Sequence, residues 1–172
     1  MQTQGLRKCG FILLAGIIIL NIALMGKAQA ASDTKDLTIR AEINAKAKLT
    51  ISPTSINFPD ADPDDTPSIP ASAPLAVTAK ARTGSSSMAT LKVLSTNLSN
   101  GTDTINISNV HWTSTSPGFV TSGTLSSSAA QDVASWTGSG IYTGTLNFTL
   151  DNRWDYPTGD YTATATYTLT AP

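Results

Sequence analysis

Cysteine is almost missing from this chain. Its one example, Cys9, stands within the first thirty positions. The remainder can form no disulfide and has no thiol nucleophile. Histidine is equally scarce, with His111 alone. One imidazole and no thiolate make no zinc site. A Ser-His-Asp triad would have to use this ring, but no G-x-S-x-G elbow accompanies it, and its place before Trp112 at a strand end reads as structural or surface. Glutamate is reduced to Glu42. The carboxylate pair of a glycosidase would fall to Asp151 and Asp155, yet these flank Arg153, which lowers a carboxyl pKa where a general acid needs it raised. The sequence therefore reads as a non-enzyme with no cofactor. The basic residues form no patch along the chain, so nucleic acid is not an expected partner. Helix formers are scarce after the first thirty residues, and no 3.6-residue apolar period is sustained.

The one long hydrophobic run is "FILLAGIIILNIALM" (11–25). It follows a polar start with Arg7 and Lys8 and precedes "KAQA", whose Ala28 and Ala30 give an A-x-A cleavage pattern. Residues 1–30 are expected to be a secretory signal peptide, removed on export. The run is short for a membrane span, so contact with the membrane is expected only through that signal. Arg7, Lys8 and Lys27 are three of the eleven Lys/Arg, and none of the twelve acids lies in 1–30; residues 31–172 then hold eight bases against twelve acids, a net charge of −4.

What remains is rich in Thr and Ser, with short runs of Val, Ile, Tyr, Phe and Trp punctuated by Gly and Pro. That composition predicts an all-β sandwich. "LAVTAKAR" (75–82) and "MATLKVLS" (88–95) read as strands, and Asn100-Gly101 as a turn. "TINISNVHW" (104–112) reads as a strand with Ile105 and Ile107 inward, and shorter strands are expected within 118–125 and 132–136. "SPTSINF" after Ile51 reads as a turn and a short strand ending at Phe58. "PDADPDDTPSIPASAP" (59–74) holds five prolines and reads as a loop or an extended edge segment. "IYTGTLNFTL" (141–150) and "DYTATATYTLT" (160–170) alternate cleanly and are expected to form a hairpin around the loop 151–159. The sequence stops two residues after that last strand.

The longest alternation is at the other end. In "LTIRAEINAKAKLTI" (37–51), Leu37, Ile39, Ala41, Ile43, Ala45, Ala47, Leu49 and Ile51 share one side. As one strand it would span roughly 50 Å, against about 17–20 Å for an ordinary strand. A surplus strand at one end and a last strand with no successor fit one arrangement. Residues 48–58 belong to this domain's own sandwich, while 36–46 project and pair with a neighbouring copy. Backbone hydrogen bonds would give affinity and alternate side chains would fix register. Contacts of this head-to-tail kind do not close, and they build a fibre.

These stretches resemble subunits of chaperone–usher pili (fimbriae), closest to the archaic, spore coat protein U-like branch. "TIRAEINAKAKLTISPTSINF" is similar to its donor segment and first strand, "LAVTAKARTG" to the strand and turn that follow, and "IYTGTLNFTL…PTGDYTATATYTLT" to its closing strands, with Gly159 and Tyr161 opening the last one. The resemblance implies an immunoglobulin-like Greek-key β-sandwich lacking one strand, which a periplasmic chaperone lends until the next subunit replaces it at an outer-membrane usher. It also implies donor-strand complementation between copies or related subunits, and a place on the cell surface, often in adhesion. The implied donor plugs are Leu37, Ile39, Ala41, Ile43 and Ala45, and the implied acceptor residues are Tyr161, Ala163, Ala165, Tyr167 and Leu169. The implied organisation is a signal (1–30), a donor extension (31–47) and a pilin domain (48–172). Two departures stand out: the family's frequent disulfide is absent, and Ala171 occupies the penultimate position where many members have an aromatic.

Two further groups merit attention. Asp60, Asp62, Asp64 and Asp65 cluster like calcium ligands, but no Gly stands at the sixth position of an EF-type loop and Ala71 stands where its Glu is required. Trp154 and Tyr156 sit beside Arg153 and Asp155, a combination that can stack on a sugar ring or equally close one end of the core. The alternative to a fibre subunit is thus a self-contained secreted binding domain, carbohydrate-binding or adhesive, whose long first strand bends between its own two sheets.

Overall fold

Alternation at 75–82 and 88–95 produces the strands it predicts. In the computed structural model, which describes residues 30–172, the strands are β1 (Lys46–Ser52), β2 (Ser68–Pro70), β3 (Leu75–Arg82), β4 (Met88–Ser95), β5 (Leu98–Ser99) and β6 (Thr104–Ile105). After a 3-10 turn at Ile107–Asn109 come β7 (Val110–Thr113), β8 (Ser122–Thr124), β9 (Gln131–Thr137), β10 (Gly140–Asp151) and β11 (Ala165–Thr170). The signal-peptide expectation for 1–30 falls almost wholly outside the described residues. No helix among the described residues is long and apolar enough to cross a membrane.

The strands form an all-β, antiparallel sandwich. One sheet runs β1-β3-β10-β7-β8, with β2 also pairing β10; the other runs β11-β4-β9, and β5-β6 make a small ribbon. Strands β1, β3, β10 and β7 hold the A, B, E and D places of an immunoglobulin-type sandwich, and β4 and β11 hold C and F. Inward-pointing Leu75, Val77, Ala79 and Ala81 of β3 and Ala89, Leu91 and Val93 of β4 are buried together with Trp112, Leu146 and Phe148. Period two supplies that face from both sheets.

Several expectations are corrected. The two closing strands are not a hairpin: β10 pairs β3, β7 and β2, while β11 pairs β4 in the other sheet. The chain crosses between sheets through 152–164, and β11 begins at Ala165, five residues later than its alternation suggests. A tyrosine corner makes the crossing: the Tyr161 hydroxyl donates to Pro157 O at 2.9 Å. The segment 104–112 is broken because the Asn106 side chain accepts the Ser108 N–H and caps a 3-10 turn. The expected strand ending at Phe58 is irregular chain, although Ile56 and Phe58 still pack on the core. Pro53, following a cis bond from Ser52, offers no N–H to extend β1. Within the 37–51 alternation, the domain's own strand starts at Lys46, and 37–45 lies outside any strand. The chain divides into two units between Ala41 and Glu42, and the sandwich lies in the second.

Candidate functional site

The sandwich has two seams where an edge of one sheet meets an edge of the other, and they differ. At the first, β8 meets β9. Val120 N–H donates to Val133 O at 2.8 Å, and Phe119 and Ala134 form a β-bridge. Phe119, Val133 and Ala134 are buried there. At the second, β1 and β11 come within 8 Å of each other between Cα atoms. Among the described residues no backbone hydrogen bond joins them, and each pairs on one side only, β1 with β3 and β11 with β4. Two rows of backbone N–H and C=O are left without a strand partner, the edge that sandwich proteins ordinarily cover.

The side chains repeat this asymmetry. Leu49 and Ile51 on β1, and Tyr167 and Leu169 on β11, point inward and touch the core but are only half-buried. In the immunoglobulin-type order the place next to β11 belongs to a last strand, G. No described residue occupies it. Burial lifts the Tyr167 phenol pKa well above its ordinary value. The Thr83 hydroxyl donates to Pro172 O at the end of the seam.

Of the sequence-derived acceptor residues, Tyr167 and Leu169 line this seam. Ala165 is exposed at the start of β11; Ala163, also exposed, and Tyr161 precede the strand, Tyr161 in the corner. Their alternation places the seam residues Leu49 and Ile51 on the domain's own strand, and only the topology reveals that this strand is an edge.

The expected donor residues lie outside any strand. Leu37, Ile39 and Ile43 are 83%, 85% and 70% exposed, and Ala41 and Ala45 are exposed too. The segment joins the sandwich where Arg82 Nε donates to Asn44 O at 2.8 Å.

At the opposite end of the strands the two loops singled out by sequence come together. Asn152 Nδ2 donates to Ala61 O and Thr66 O, both at 3.0 Å, and Trp154 Nε1 donates to Asp64 Oδ1 at 3.0 Å. The Asp62 carboxylate accepts Asp64 N–H and turns the loop. Arg153 grips Asp155 through two hydrogen bonds of 2.9 and 2.8 Å, which lowers the Asp155 pKa and raises that of Arg153. Trp154 remains 69% exposed, whereas the Tyr156 hydroxyl is buried without a hydrogen-bond partner among the described residues. Tyr156 thus anchors the loop and Trp154 faces outward. Asp60, Asp62, Asp64 and Asp65 do not converge: among the described residues no three His, Cys, Asp or Glu side chains gather as metal ligands.

His111 stands in a cross-strand polar row on the outer face. Its Nδ1 lies 2.9 Å from Thr124 Oγ1 and its Nε2 lies 3.3 Å from Asp151 Oδ2. The Thr124 and His111 contact follows directly from their pairing in β8 and β7. A shallow polar depression of about 310 Å³ lies between Asn106, Ser108, Thr124 and Gln131. One sequence expectation also changes: bases dispersed along the chain do form a patch, because pairing of β1 with β3 sets Lys46 opposite Arg82 and Lys48 opposite Lys80.

Among the described residues, the fold and this seam define an immunoglobulin-type sandwich closed along one edge and open along the other. The chain has no significant match among family models, curated proteins or solved structures.

Proposed function

We propose that this protein is a structural subunit of a surface fibre, assembled by strand donation between copies. Residues 37–45 of one copy enter the β1/β11 seam of the next, where they pair with β11 as the missing strand. The observation that carries this reading is the open seam, with Leu49, Ile51, Tyr167 and Leu169 half-covered. A strand-length alternating segment with exposed Leu37, Ile39 and Ile43 supplies the complement in kind. The donated strand satisfies both unpaired backbone edges and buries its apolar side, at about 1.5–3 kcal/mol for each large side chain fully covered. On this reading the chain is a pilus subunit of the chaperone–usher kind. It is exported through its signal peptide, held by a periplasmic chaperone until it polymerises at an outer-membrane usher, and displayed at the cell surface. It performs no catalysis.

The test is a denaturing gel of residues 31–172, unheated and heated, beside Ile39→Asp/Ile43→Asp. The expected result is an unheated ladder that collapses on boiling and is absent from the variant, which stays folded as a single copy and melts cooperatively, at a lower temperature than the strand-filled wild type. If the variant unfolds instead, the segment belongs to its own domain. The second reading, a self-contained binding module, would then lead, resting on exposed Trp154 held edge-on by Asp64 as a sugar-stacking face.

A further inference from the structure

Charge in the sandwich is separated along the strand axis. Residues 42–172 contain six bases: Lys46, Lys48, Lys80, Arg82, Lys92 and Arg153. Four of them form one block. Lys46 faces Arg82 and Lys48 faces Lys80 on the outer side of β1 and β3, at the end where β1 begins and β3 finishes. Like charges directly opposite one another disfavour a strand pair, and this edge carries two such pairs in succession. Among the described residues none of the four makes a salt bridge. The nearest acid along the chain, Glu42, accepts a 3.5 Å hydrogen bond from Asn44 instead.

The other end is acidic. Strand β10 runs from Gly140, opposite Ala81, to Asp151, opposite Ser68, so it finishes at the pole remote from the basic block. The loop with Asp60, Asp62, Asp64 and Asp65 is pinned there by Asn152 and Trp154. Asp155 and Asp160 lie in the same crossing, and Asp103 is near enough to Tyr161 to raise its pKa, after burial. Of the two remaining bases, Lys92 pairs Asp132 on the second sheet, and Arg153 is taken by Asp155.

We infer that the Lys46–Lys48–Lys80–Arg82 block is a docking surface for the acidic end of a second copy of this chain, so that copies align head to tail through opposite poles. The contact is heterologous and repeats without closing. The cost of placing like charges opposite each other in β1 and β3 is relieved when carboxylates of the next copy sit over them. Such a contact acts on encounter rate and orientation more than on final affinity. It rests on the fibre reading for its purpose but not for its existence, because it uses neither the seam nor residues 37–45.

The experiment separates the two. Sedimentation velocity is run on the chain carrying Ile39→Asp/Ile43→Asp, which cannot donate a strand, at about 20 mM and about 300 mM salt, where screening lengths differ several-fold. Two further variants are made in that background, Lys48→Glu/Lys80→Glu and Asp62→Lys/Asp65→Lys, each checked for unchanged thermal unfolding. The expected result is self-association at low salt that weakens by about tenfold or more at high salt. It should be lost in either charge-reversed variant alone and regained when the two are mixed in equal amounts, since each then offers the pole the other needs. Association indifferent to salt and to both reversals overturns the inference. So does its absence at low salt, or capture of the chain by phosphatidylglycerol vesicles without any association between copies. A missing gel ladder with this pattern intact would count against strand donation alone.

Discussion

Gly123 shows how single positions set this core. It sits on β8 opposite Trp112 of β7, and a methyl group added there would lie 2.0 Å from Trp112 Cζ2. Trp112 is among the largest fully buried side chains, so the ring has nowhere to retreat. Gly123→Ala should cost about 1–3 kcal/mol of stability by overpacking, read as a lower urea midpoint with an unchanged slope. Tyr167 makes the opposite kind of prediction, because it belongs to the open seam. Burial raises its pKa in the folded state, so the native protein holds the phenolic proton more tightly than the unfolded chain does. The stability this provides is complete below the unfolded value of about 10 and is lost as pH climbs from there toward the folded value. Tyr167→Phe should therefore match the wild type near neutral pH and unfold at higher temperature than it does in strong alkali. Equal alkaline sensitivity of the two would mean that the phenol is not buried in solution.

Strands β1 and β11 argue the next scale. If the seam lacks a strand, a peptide of residues 36–46 should fill it from solution. Added to the Ile39→Asp/Ile43→Asp chain, it should slow amide exchange in β11 and β1 while leaving β7 and β8, at the closed seam, unchanged. It should also raise the melting temperature with peptide concentration, as any ligand of the native state does. Protection spread evenly over both seams would contradict the assignment. How much of this was legible beforehand depends on what alternation can carry. Strands β3 and β4 follow their sequence pattern to the residue, because one buried face per strand is a local property. Sheet membership is not local. Residues 141–150 and 160–170 alternate as cleanly as any hairpin, yet they enter different sheets because the Tyr161 corner carries the chain across. Asn106 was visible as a polar residue, but its use as a cap was not. The contact of Trp154 with Asp64 joins residues ninety positions apart, and the basic block exists only through the β1/β3 register. Exposure of Leu37, Ile39 and Ile43 differs from burial in a sheet corner only by what lies beside them, and no pattern along the chain states that.

For the whole molecule, the two proposed contacts between copies should be separable by a single covalent change. Strand β11 ends at Thr170, beside the start of β1, and its open side faces the seam. A second copy of residues 36–46 attached after Pro172 through a turn of about four residues could fold back antiparallel to β11. Tethering makes that insertion intramolecular, with an effective concentration that free copies cannot match. The seam should then be filled from within. This extended chain should give no heat-sensitive ladder on the gel, because no acceptor stays open, and should unfold at a higher temperature than the Ile39→Asp/Ile43→Asp chain. Its poles remain untouched. At low salt it should still associate head to tail, now reversibly and without gel-stable species, and at high salt it should sediment as single copies. If reversible docking aligns the poles and strand exchange then makes the contact permanent, wild-type assembly should speed up as salt is lowered while the final ladder stays the same. If salt changed the length of the finished ladder and left its rate alone, the charge separation would be acting on the strength of the strand contact and not on the encounter that precedes it.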